Sequence, residues 1–473
     1  MKKSSRATFA EALIAVIVAG LIGAGLWLDR AQPDLSAPPR AGTSGRLFEG
    51  NTLFCPPPSP GAASTVAVAS PIGVQSVGVA VAGDGGAGDL GDLAAGRTLI
   101  AHSGGGGPTE VAASGGTVVA GAASSATGGD ERGSSAARCS EEAASAWYFA
   151  EGSSSLGVEE RLVLYNPFPD ESVARVAFYT PAGEELKANL ADVAVPSGEA
   201  VSLRVNDYIL RRRSLAAEID ALRGRVVAWK TVAASVAGDG GEDAIRGVYS
   251  TLGATAPSAT WYFPEGGAGG DISERISVLN PSRREAIVTV SLNGSSRSVQ
   301  PPSLVEIPIP PKSSSSVALG SVLKSSDAAG GLSAVVQSTN GVPVVAERTV
   351  TYSSAGLTGI ATELGADGAA TAWSLGPGLE DASDDTVIVM NPGSRDANVD
   401  VVLLGRRAPV EPAALNGISV PSGSRRIVAV ERWTRSRPSI ALLNSDNPVV
   451  AERRSYAGVD VALEMGRPLE DAH

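Results

Sequence analysis

Histidine and cysteine are almost absent from this chain of 473 residues. It has two histidines, His102 and His473, and two cysteines, Cys55 and Cys139. Catalytic triads, zinc sites and other metal centres are commonly assembled from several such residues. The scarcity therefore predicts no His-based active site, no metal-ligand set, no catalytic or cofactor-binding residues and no cofactor.

Aromatic residues are also rare, at 4% of the chain, whereas glycine (56) and proline (30) are abundant. Long helices need the opposite composition, and many short strands joined by Gly/Pro turns suit it well. The composition therefore predicts an all-β protein. Basic residues are outnumbered, giving a net charge of −12. This balance argues against a nucleic-acid partner, which would need a basic face.

One long apolar run lies near the N-terminus. Residues 12–28 (ALIAVIVAGLIGAGLWL) carry no charge and follow a tail, residues 1–11, that contains Lys2, Lys3 and Arg6. This length falls between a signal-peptide core and a membrane span. The basic tail and the interfacial Trp27 favour an uncleaved single-pass signal anchor with a cytoplasmic N-terminus and an extracellular bulk. Secretion after signal cleavage is the alternative. Residues 29–50 are rich in Pro, Gly and Ser, and they predict a linker.

Most of the chain after residue 145 repeats one pattern: a Trp, a Gly-rich gap, an apolar strand ending in Asn-Pro, a polar loop and a second strand. The distance is 114 residues from Trp147 to Trp261 and 112 from Trp261 to Trp373. A Pro follows each Asn by 30 residues. The motif residues are Trp147, Glu151, Asn166, Pro167, Trp261, Glu265, Asn280, Pro281, Trp373, Asn391 and Pro392.

A period of about 112 residues matches an independent β-sandwich better than a solenoid repeat or a propeller blade. We therefore expect three tandem immunoglobulin-like sandwiches, here named unit 2 (146–258), unit 3 (259–371) and unit 4 (372–473). In unit 3 the apolar runs predict seven or eight short strands, with a hairpin at the Asn-Pro. In unit 2, residues 206–223 predict a helix. The units are expected to form a string, and closure into one propeller-like body is the disfavoured alternative.

Residues 51–145 look low in complexity but contain a faint further copy, named unit 1. Ser70-Pro71 aligns with Asn166-Pro167, and the run from Gly115 to Gly121 resembles the late VVA strand of the other units. Cys55 and Cys139 lie near its two ends. In an extracytoplasmic chain this placement predicts a disulfide that stabilises a Gly-rich β domain, with two free thiols as the alternative.

Few residues suggest chemistry. Glu151 and Glu265 could act as paired carboxylates, but unit 4 has Pro377 at the matching position. A strand-end carboxylate and a Trp that fills the seam between domains are the simpler interpretation. The run Arg211–Arg213 predicts a solvated face or a contact with an anionic polymer. Trp229 and Trp433 lie outside the repeat motif, so they are the candidates for an exposed ligand platform.

The pattern W-Y-F-x-E-G…L-x-N-P…V-P-S-G after one N-terminal span resembles a family of membrane-anchored or secreted proteins of high-GC Gram-positive bacteria, catalogued as domain of unknown function 5719. The resemblance covers about residues 12 to 465. It implies a family and a location but no activity, and it assigns no catalytic residues.

These observations predict a non-enzymatic structural or binding protein of the bacterial cell envelope. Its partner would be a cell-wall polymer or an envelope protein, and its membrane contact the N-terminal helix. The alternatives are a carbohydrate-binding accessory protein and a cell-wall enzyme. An enzyme would need a cleft with convergent carboxylates.

Overall fold

The structure is a computed structural model that describes residues 51–59, 61–71, 76–83, 86–103, 105–126, 128, 132–238, 244–267, 269–294, 298–323, 331–354, 356–379, 382–434 and 439–469. The predicted cytoplasmic tail, signal anchor and linker lie outside these residues. None of the helices in the described part of the chain is long and apolar enough to cross a membrane.

The described chain is almost entirely β-structure, as the composition predicts. The strands of unit 1 are β1 (Asn51–Cys55), β2 (Ala63–Ala69), β3 (Val77–Gly83), β4 (Gly86–Leu93), β5 (Thr98–Ser103), β6 (Thr109–Ser114), β7 (Val119–Ala126) and β8 (Gly133–Arg138). Those of unit 2 are β9 (Ala146–Phe149), β10 (Val158–Tyr165), β11 (Ser172–Thr180), β12 (Gly183–Leu186), β13 (Val193–Val195), β14 (Ala200–Arg204), β15 (Ala216–Arg223), β16 (Val227–Val236) and β17 (Ala244–Leu252).

The later units follow the same order. Unit 3 contains β18 (Thr260–Phe263), β19 (Ile272–Asn280), β20 (Ala286–Asn293), β21 (Ser298–Val299), β22 (Ile307–Ile309), β23 (Ser313–Ala318), β24 (Ser333–Ser338), β25 (Val345–Ser354) and β26 (Leu357–Leu364). Unit 4 contains β27 (Ala370–Leu375), β28 (Asp384–Met390), β29 (Ala397–Leu404), β30 (Pro409–Val410), β31 (Ile418–Val420), β32 (Arg425–Ala429), β33 (Ile440–Ala457), β34 (Asp460–Met465) and β35 (Arg467–Pro468).

Among the described residues, helical structure consists of single turns. The short 3₁₀ helices are Ala188–Leu190, Val205–Asp207, Pro302–Leu304, Leu319–Ser321 and Ala413–Leu415, and the α-helix α1 is Glu431–Thr434.

Each unit pairs two antiparallel sheets. The outer sheets have the orders β1-β6-β3-β4, β9-β15-β11-β12, β18-β24-β20-β21 and β27-β33-β29-β30. The inner sheets have the orders β5-β2-β7-β8, β14-β10-β16-β17, β23-β19-β25-β26 and β32-β28-β33-β34. Unit 1 thus has the strand order of the other units despite its Gly-rich sequence. A separate apolar cluster fills the space between the sheets of every unit.

Two local predictions were wrong. Residues 206–223 form no long helix: the 3₁₀ turn Val205–Asp207 is followed by strand β15, which pairs with β11 and β9. These pairings on both sides outweigh the local helix propensity. The Asn-Pro loop is no hairpin either. It connects an inner-sheet strand to an outer-sheet strand, so it forms an arch over the edge of the core.

The predicted disulfide between Cys55 and Cys139 is present. Phe54 bridges to Ser140 in unit 1 as Tyr148 does to Ala254 in unit 2. By this register, Cys55 and Cys139 occupy the positions of Phe149 and Gly253. A Cβ on Gly253 would lie 2.8 Å from the Phe149 ring. The disulfide therefore takes the place of a Phe ring packed directly over a glycine, a pairing that Phe263 and Gly365 repeat in unit 3.

The four units meet at the edge strands β8, β17, β26 and β34 of their inner sheets, named here the central strands. β17 and β26 pair in parallel, which joins the inner sheets of units 2 and 3 into one eight-stranded sheet. β8 packs against β17, and β26 packs against β34. Backbones approach so closely that a Cβ on Gly133 would lie 2.7 Å from the amide nitrogen of Val248. Glycine is therefore required at this crossing.

The fourth unit also contacts the first. Ala136 of β8 packs with Ala462 of β34. At the outer side, the Thr98 amide donates to the Gly405 carbonyl at 3.0 Å. The units therefore form a closed ring, and the expected string of independent domains is wrong. A period of 112 residues indicates the size of one unit, but it does not indicate how that unit contacts the other units. A unit standing alone would expose its central strand as an unpaired edge, which the ring covers.

Candidate functional site

The Asn of each Asn-Pro motif holds its arch together. Asn166, Asn280 and Asn391 are fully buried. The Asn280 side-chain amide donates to the carbonyls of Arg284 and Ile309 at 2.8 and 2.9 Å, and its oxygen accepts from the Ser282 amide at 3.0 Å. The same three kinds of bond recur at the other two Asn residues. Since Ile309 precedes Pro310, the bond explains the constant 30-residue spacing.

The motif Trp residues lie inside their own units and not in the seams between domains, so that interpretation was wrong. Trp147, Trp261 and Trp373 belong to the cores of units 2, 3 and 4. Each indole N–H donates to the first Val carbonyl of the late VVA strand, as Trp147 does to Val226 at 2.7 Å. They pin the first strand of a unit to its late strands.

Charged residues are buried where unit 2 meets unit 3. Lys230 of β16 pairs with Glu347 of β25 at 2.9 Å, and both side chains are 0% exposed. Glu347 also accepts the Glu151 amide at 2.6 Å. Burial alone would lower the pKa of Lys230, but the attraction of Glu347 raises it above its usual range, so the lysine stays charged. The Glu151 carboxylate reaches Arg275 and Ser277 of unit 3.

The junction between units 3 and 4 repeats this arrangement with different residues. Arg348 pairs with Glu452, and both side chains are 0% exposed. Glu265, the counterpart of Glu151, binds Arg454 at 2.7 Å and Arg425 at 3.3 Å. The motif glutamates therefore connect neighbouring units. Their carboxylates are already bound to cations of the next unit.

A second glutamate supports each of these junctions from within its unit. Glu160 and Glu274 lie six residues before the motif Asn and accept backbone N–H groups of the Gly-rich gap, from Ser153 and Gly267, each at 2.8 Å. Burial raises the pKa of Glu160 to about 7 against the partial opposition of Lys230. Burial likewise raises the pKa of Glu274 to about 7.

The closing junction between units 4 and 1 lacks the buried pair. Gly121 of β7 occupies the position of Glu347, and a Cβ on it would lie 2.8 Å from both Gly376 and Pro377. Arg453, the counterpart of Lys230, instead binds Asp385 of its own unit at 2.6 and 2.9 Å. This junction is closed by backbone contact and by apolar packing around Leu404 and Leu442.

The junction between units 1 and 2 differs again. Ala122 replaces the lysine of β16, and Trp229 occupies the position of Glu347. Trp229 is 0% exposed and packs in the core of unit 2. The prediction that it forms an exposed platform was therefore wrong, because an apolar ring replaces a buried charge pair here. Trp433 is half-buried against the core of unit 4, with the Arg432 guanidinium 3.8 Å from its ring centroid.

A cleft of about 1210 Å³ opens between units 1 and 2. One side is the face of the unit 2 inner sheet that points away from the core of the unit, with Arg161, Val163 and Tyr165 of β10. The other side is formed by Pro- and Gly-rich segments of unit 1, residues 57–59 and 105–108. Tyr165 is held at the cleft by a 2.6 Å hydrogen bond from its hydroxyl to Glu110.

The cleft exists because unit 1 lacks the motif glutamate. Following Cys55, which matches Phe149, the position of Glu151 is taken by Pro57. Arg161 and Arg275 both lie five residues before the motif Asn, so they are equivalent. At the next junction Glu151 fills the space in front of Arg275. At this junction Pro57 has no carboxylate to place against Arg161. The Arg161 guanidinium instead binds Glu159 of its own strand at 2.6 Å.

The other sequence candidates lie on the surface. Arg211–Arg213 form an exposed loop and not a helical face, with Arg211 at a φ of 56°. Arg212 pairs with Glu185 at 2.9 Å. No group of three or more metal-ligating side chains occurs in the part of the chain that the structure describes. The sequence analysis did not identify the buried charged residues of the junctions, which are Lys230, Glu347, Arg348 and Glu452. Their presence in otherwise apolar late strands could have indicated them.

The family model for the family of unknown function DUF5719 matches residues 101–246 and 230–466. The chain belongs to this family. No curated protein matches the chain.

Two solved structures show limited likeness. The crystal structure titled Thermotoga maritima 1070 is 16% identical, with a TM-score of 0.20, and the match covers 22% of this chain and 97% of that one. A glycoside hydrolase family 32 structure from Bifidobacterium adolescentis is 9% identical, with a TM-score of 0.15, and the match covers 89% and 96%. At these TM-scores neither likeness bears on the fold or activity of this protein.

Proposed function

We propose that this protein is a non-enzymatic binding protein of the bacterial cell envelope, and that the cleft between units 1 and 2 holds a cell-wall polymer. In this proposal residues 12–28 anchor the chain in the membrane with the N-terminus in the cytoplasm, and the units are immunoglobulin-like sandwiches. The two antiparallel sheets of each unit, with the same strand order in all four, support the second point.

The observation that carries the proposal is the difference between equivalent junctions. The motif glutamate closes the junctions after units 2 and 3, whereas Pro57 leaves the junction after unit 1 open. A ring of β-domains held by buried contacts is a rigid scaffold on which such an opening keeps its shape. A disulfide supports the Gly-rich side of the cleft.

A cell-wall enzyme is the competing function. Hydrolysis of a glycosidic bond by the usual mechanism needs two carboxylates flanking the bond. Among the described residues that line the cleft, Glu199 is the one carboxylate. The buried glutamates of the junctions are engaged by cations or amides. These observations favour binding over catalysis.

Binding is tested with the full chain in mild detergent, sedimented with purified peptidoglycan and with isolated wall polysaccharide. Ser202 lies exposed on β14 at the cleft, and Ser316 is its counterpart on β23. We expect Ser202→Trp to fill the cleft and abolish co-sedimentation, and Ser316→Trp to leave it unchanged. Wild-type protein that sediments with neither polymer, or a Ser202→Trp variant that binds normally, would refute the proposal. Release of reducing ends from either polymer would instead support the enzyme.

Membrane anchoring is tested separately by removing residues 1–28 and fractionating cells that express the shortened chain. The proposal expects loss of the protein from the membrane fraction. Retention there would contradict the anchor.

A further inference from the structure

The cleft keeps an arginine whose counterpart binds a carboxylate at the next junction. At the junction of units 2 and 3, the Glu151 carboxylate contacts Arg275 and also the Ser277 hydroxyl. At the cleft, Arg161 stands in the position of Arg275, and Pro57 stands in the position of Glu151. The cleft therefore keeps the arginine of this carboxylate contact, and the space that the Glu151 carboxylate fills at the next junction is open to solvent here.

Arg161 shares its carboxylate partner with a second arginine. Its Nε and Nη2 atoms both lie against one oxygen of Glu159, at 2.7 and 2.6 Å. The second oxygen of Glu159 lies 3.3 Å from Arg204, so two arginines share this carboxylate. Arg204 has a further exposed contact with Asp207 at 3.3 Å. The Arg161 side chain remains 37% exposed.

The remaining lining points to a saccharide and not to a peptide. Peptide grooves are anchored by pockets for large apolar side chains. The lining here consists mainly of Gly, Ala, Pro and Ser, with the exposed Ser202 and one aromatic residue, Tyr165. Hydroxyl and backbone groups beside one aromatic face suit a sugar chain.

We propose that the cleft binds an acidic saccharide of the cell-wall polymer, with a sugar carboxylate at Arg161 in the place that Glu151 takes at the next junction. This inference rests on the proposed function that the cleft binds a wall polymer. An arginine–carboxylate contact is a charge-assisted hydrogen bond, stronger than a neutral one.

The test measures binding of the full chain to alginate, a uronic-acid polymer, to the same alginate with its carboxyl groups reduced to alcohols, and to dextran. We expect binding to alginate, at least tenfold weaker binding to the reduced polymer, and none to dextran. Arg161→Gln should weaken alginate binding about tenfold, and Arg175→Ala, on the outer sheet of the same unit, should not. Pro57→Glu should abolish binding by restoring the acid of the next junction.

The outcomes separate the inference from the proposed function. If wall polymer binds, but reduced and native alginate bind equally or Arg161→Gln has no effect, the carboxylate site is refuted and the binding function stands. If poly-glutamate competes as well as alginate, the ligand is an acidic peptide and the saccharide is refuted. If neither peptidoglycan nor wall polysaccharide binds, the proposed function fails, and the inference fails with it. Circular dichroism of each variant verifies that it is folded.

Discussion

The junction between units 2 and 3 and the junction between units 1 and 2 use the same positions of the fold with opposite chemistry. The first contains a buried pair, Lys230 and Glu347, and a motif glutamate that reaches into the next unit. In the second junction, Ala122 and Trp229 occupy the positions of the buried pair, and Pro57 occupies the position of the motif glutamate. Three changes thus convert a sealed ionic contact into an apolar contact beside an open cleft. A repeated fold can therefore acquire an open cleft at a junction without a change in its strand order.

The largest expected effect comes from breaking the ionic junction on one side. Lys230→Met leaves Glu347 buried without a counter-ion, and one Glu347 oxygen already has no hydrogen-bond partner among the described residues. Removing one member of a buried pair typically costs about 3–5 kcal/mol. We expect a loss of that size in the free energy of unfolding by urea titration. The double variant Lys230→Met with Glu347→Leu imitates the apolar junction and should recover most of it. A double variant as unstable as the single one would contradict this account.

The disulfide tests the other side of the comparison. Replacing Cys55 and Cys139 by serine removes a cross-link between positions that are 84 apart in sequence. Loss of a native disulfide typically costs about 2–5 kcal/mol. Unit 1 should become the first part to unfold, with rapid proteolysis between residues 51 and 145 while units 2 to 4 resist. Cleavage spread evenly over the four units would show that the disulfide is unimportant for unit 1.

A smaller effect is expected from the arches. Asn280→Ala leaves the carbonyls of Arg284 and Ile309 without their amide donor, and unsatisfied buried polar groups cost about 1–3 kcal/mol. In unit 1 the equivalent Ser70 hydroxyl is buried and has no partner among the described residues. Ser70→Ala should therefore change the melting temperature very little. Equal losses for the two variants would contradict the role assigned to the Asn side chain.

The smallest effect concerns pH. Burial raises the pKa of Glu160 from its ordinary value of 4.5 to about 7, and unit 1 has Ser64 at this position. Between pH 4.5 and 7 the folded protein therefore binds more protons than the unfolded chain, so this group makes stability fall as the pH rises. Glu160→Gln should reduce the fall in melting temperature between pH 5 and 7.5. An unchanged pH profile would show that the carboxyl is ionised throughout this range.

Much of the fold could be predicted from the spacing of the motif residues. The all-β class, the strands of unit 3 and the disulfide followed from composition, alternation and the two cysteines. The strand at Ala216–Arg223 could not, because its pairing with β9 and β11 involves partners distant in sequence. The ring was equally hidden, since the contacts among central strands are made by small residues such as Gly133 and Ala136. The cleft could not be predicted from the sequence either, because the equivalence of Pro57 and Glu151 depends on the strand register.

The buried pairs give unit 3 two different ends, an acid toward unit 2 and a cation toward unit 4. One unit supplies the cation, Lys230 or Arg348, and the following unit supplies the acid. Contacts of this head-to-tail kind propagate without limit unless the ends meet, and an unclosed series would add further molecules into filaments. Here the last cation, Arg453, is bound by Asp385 of its own unit, and the first unit offers Gly121 where an acid would stand. Both ends therefore lack the free groups that would recruit another copy through this kind of pair.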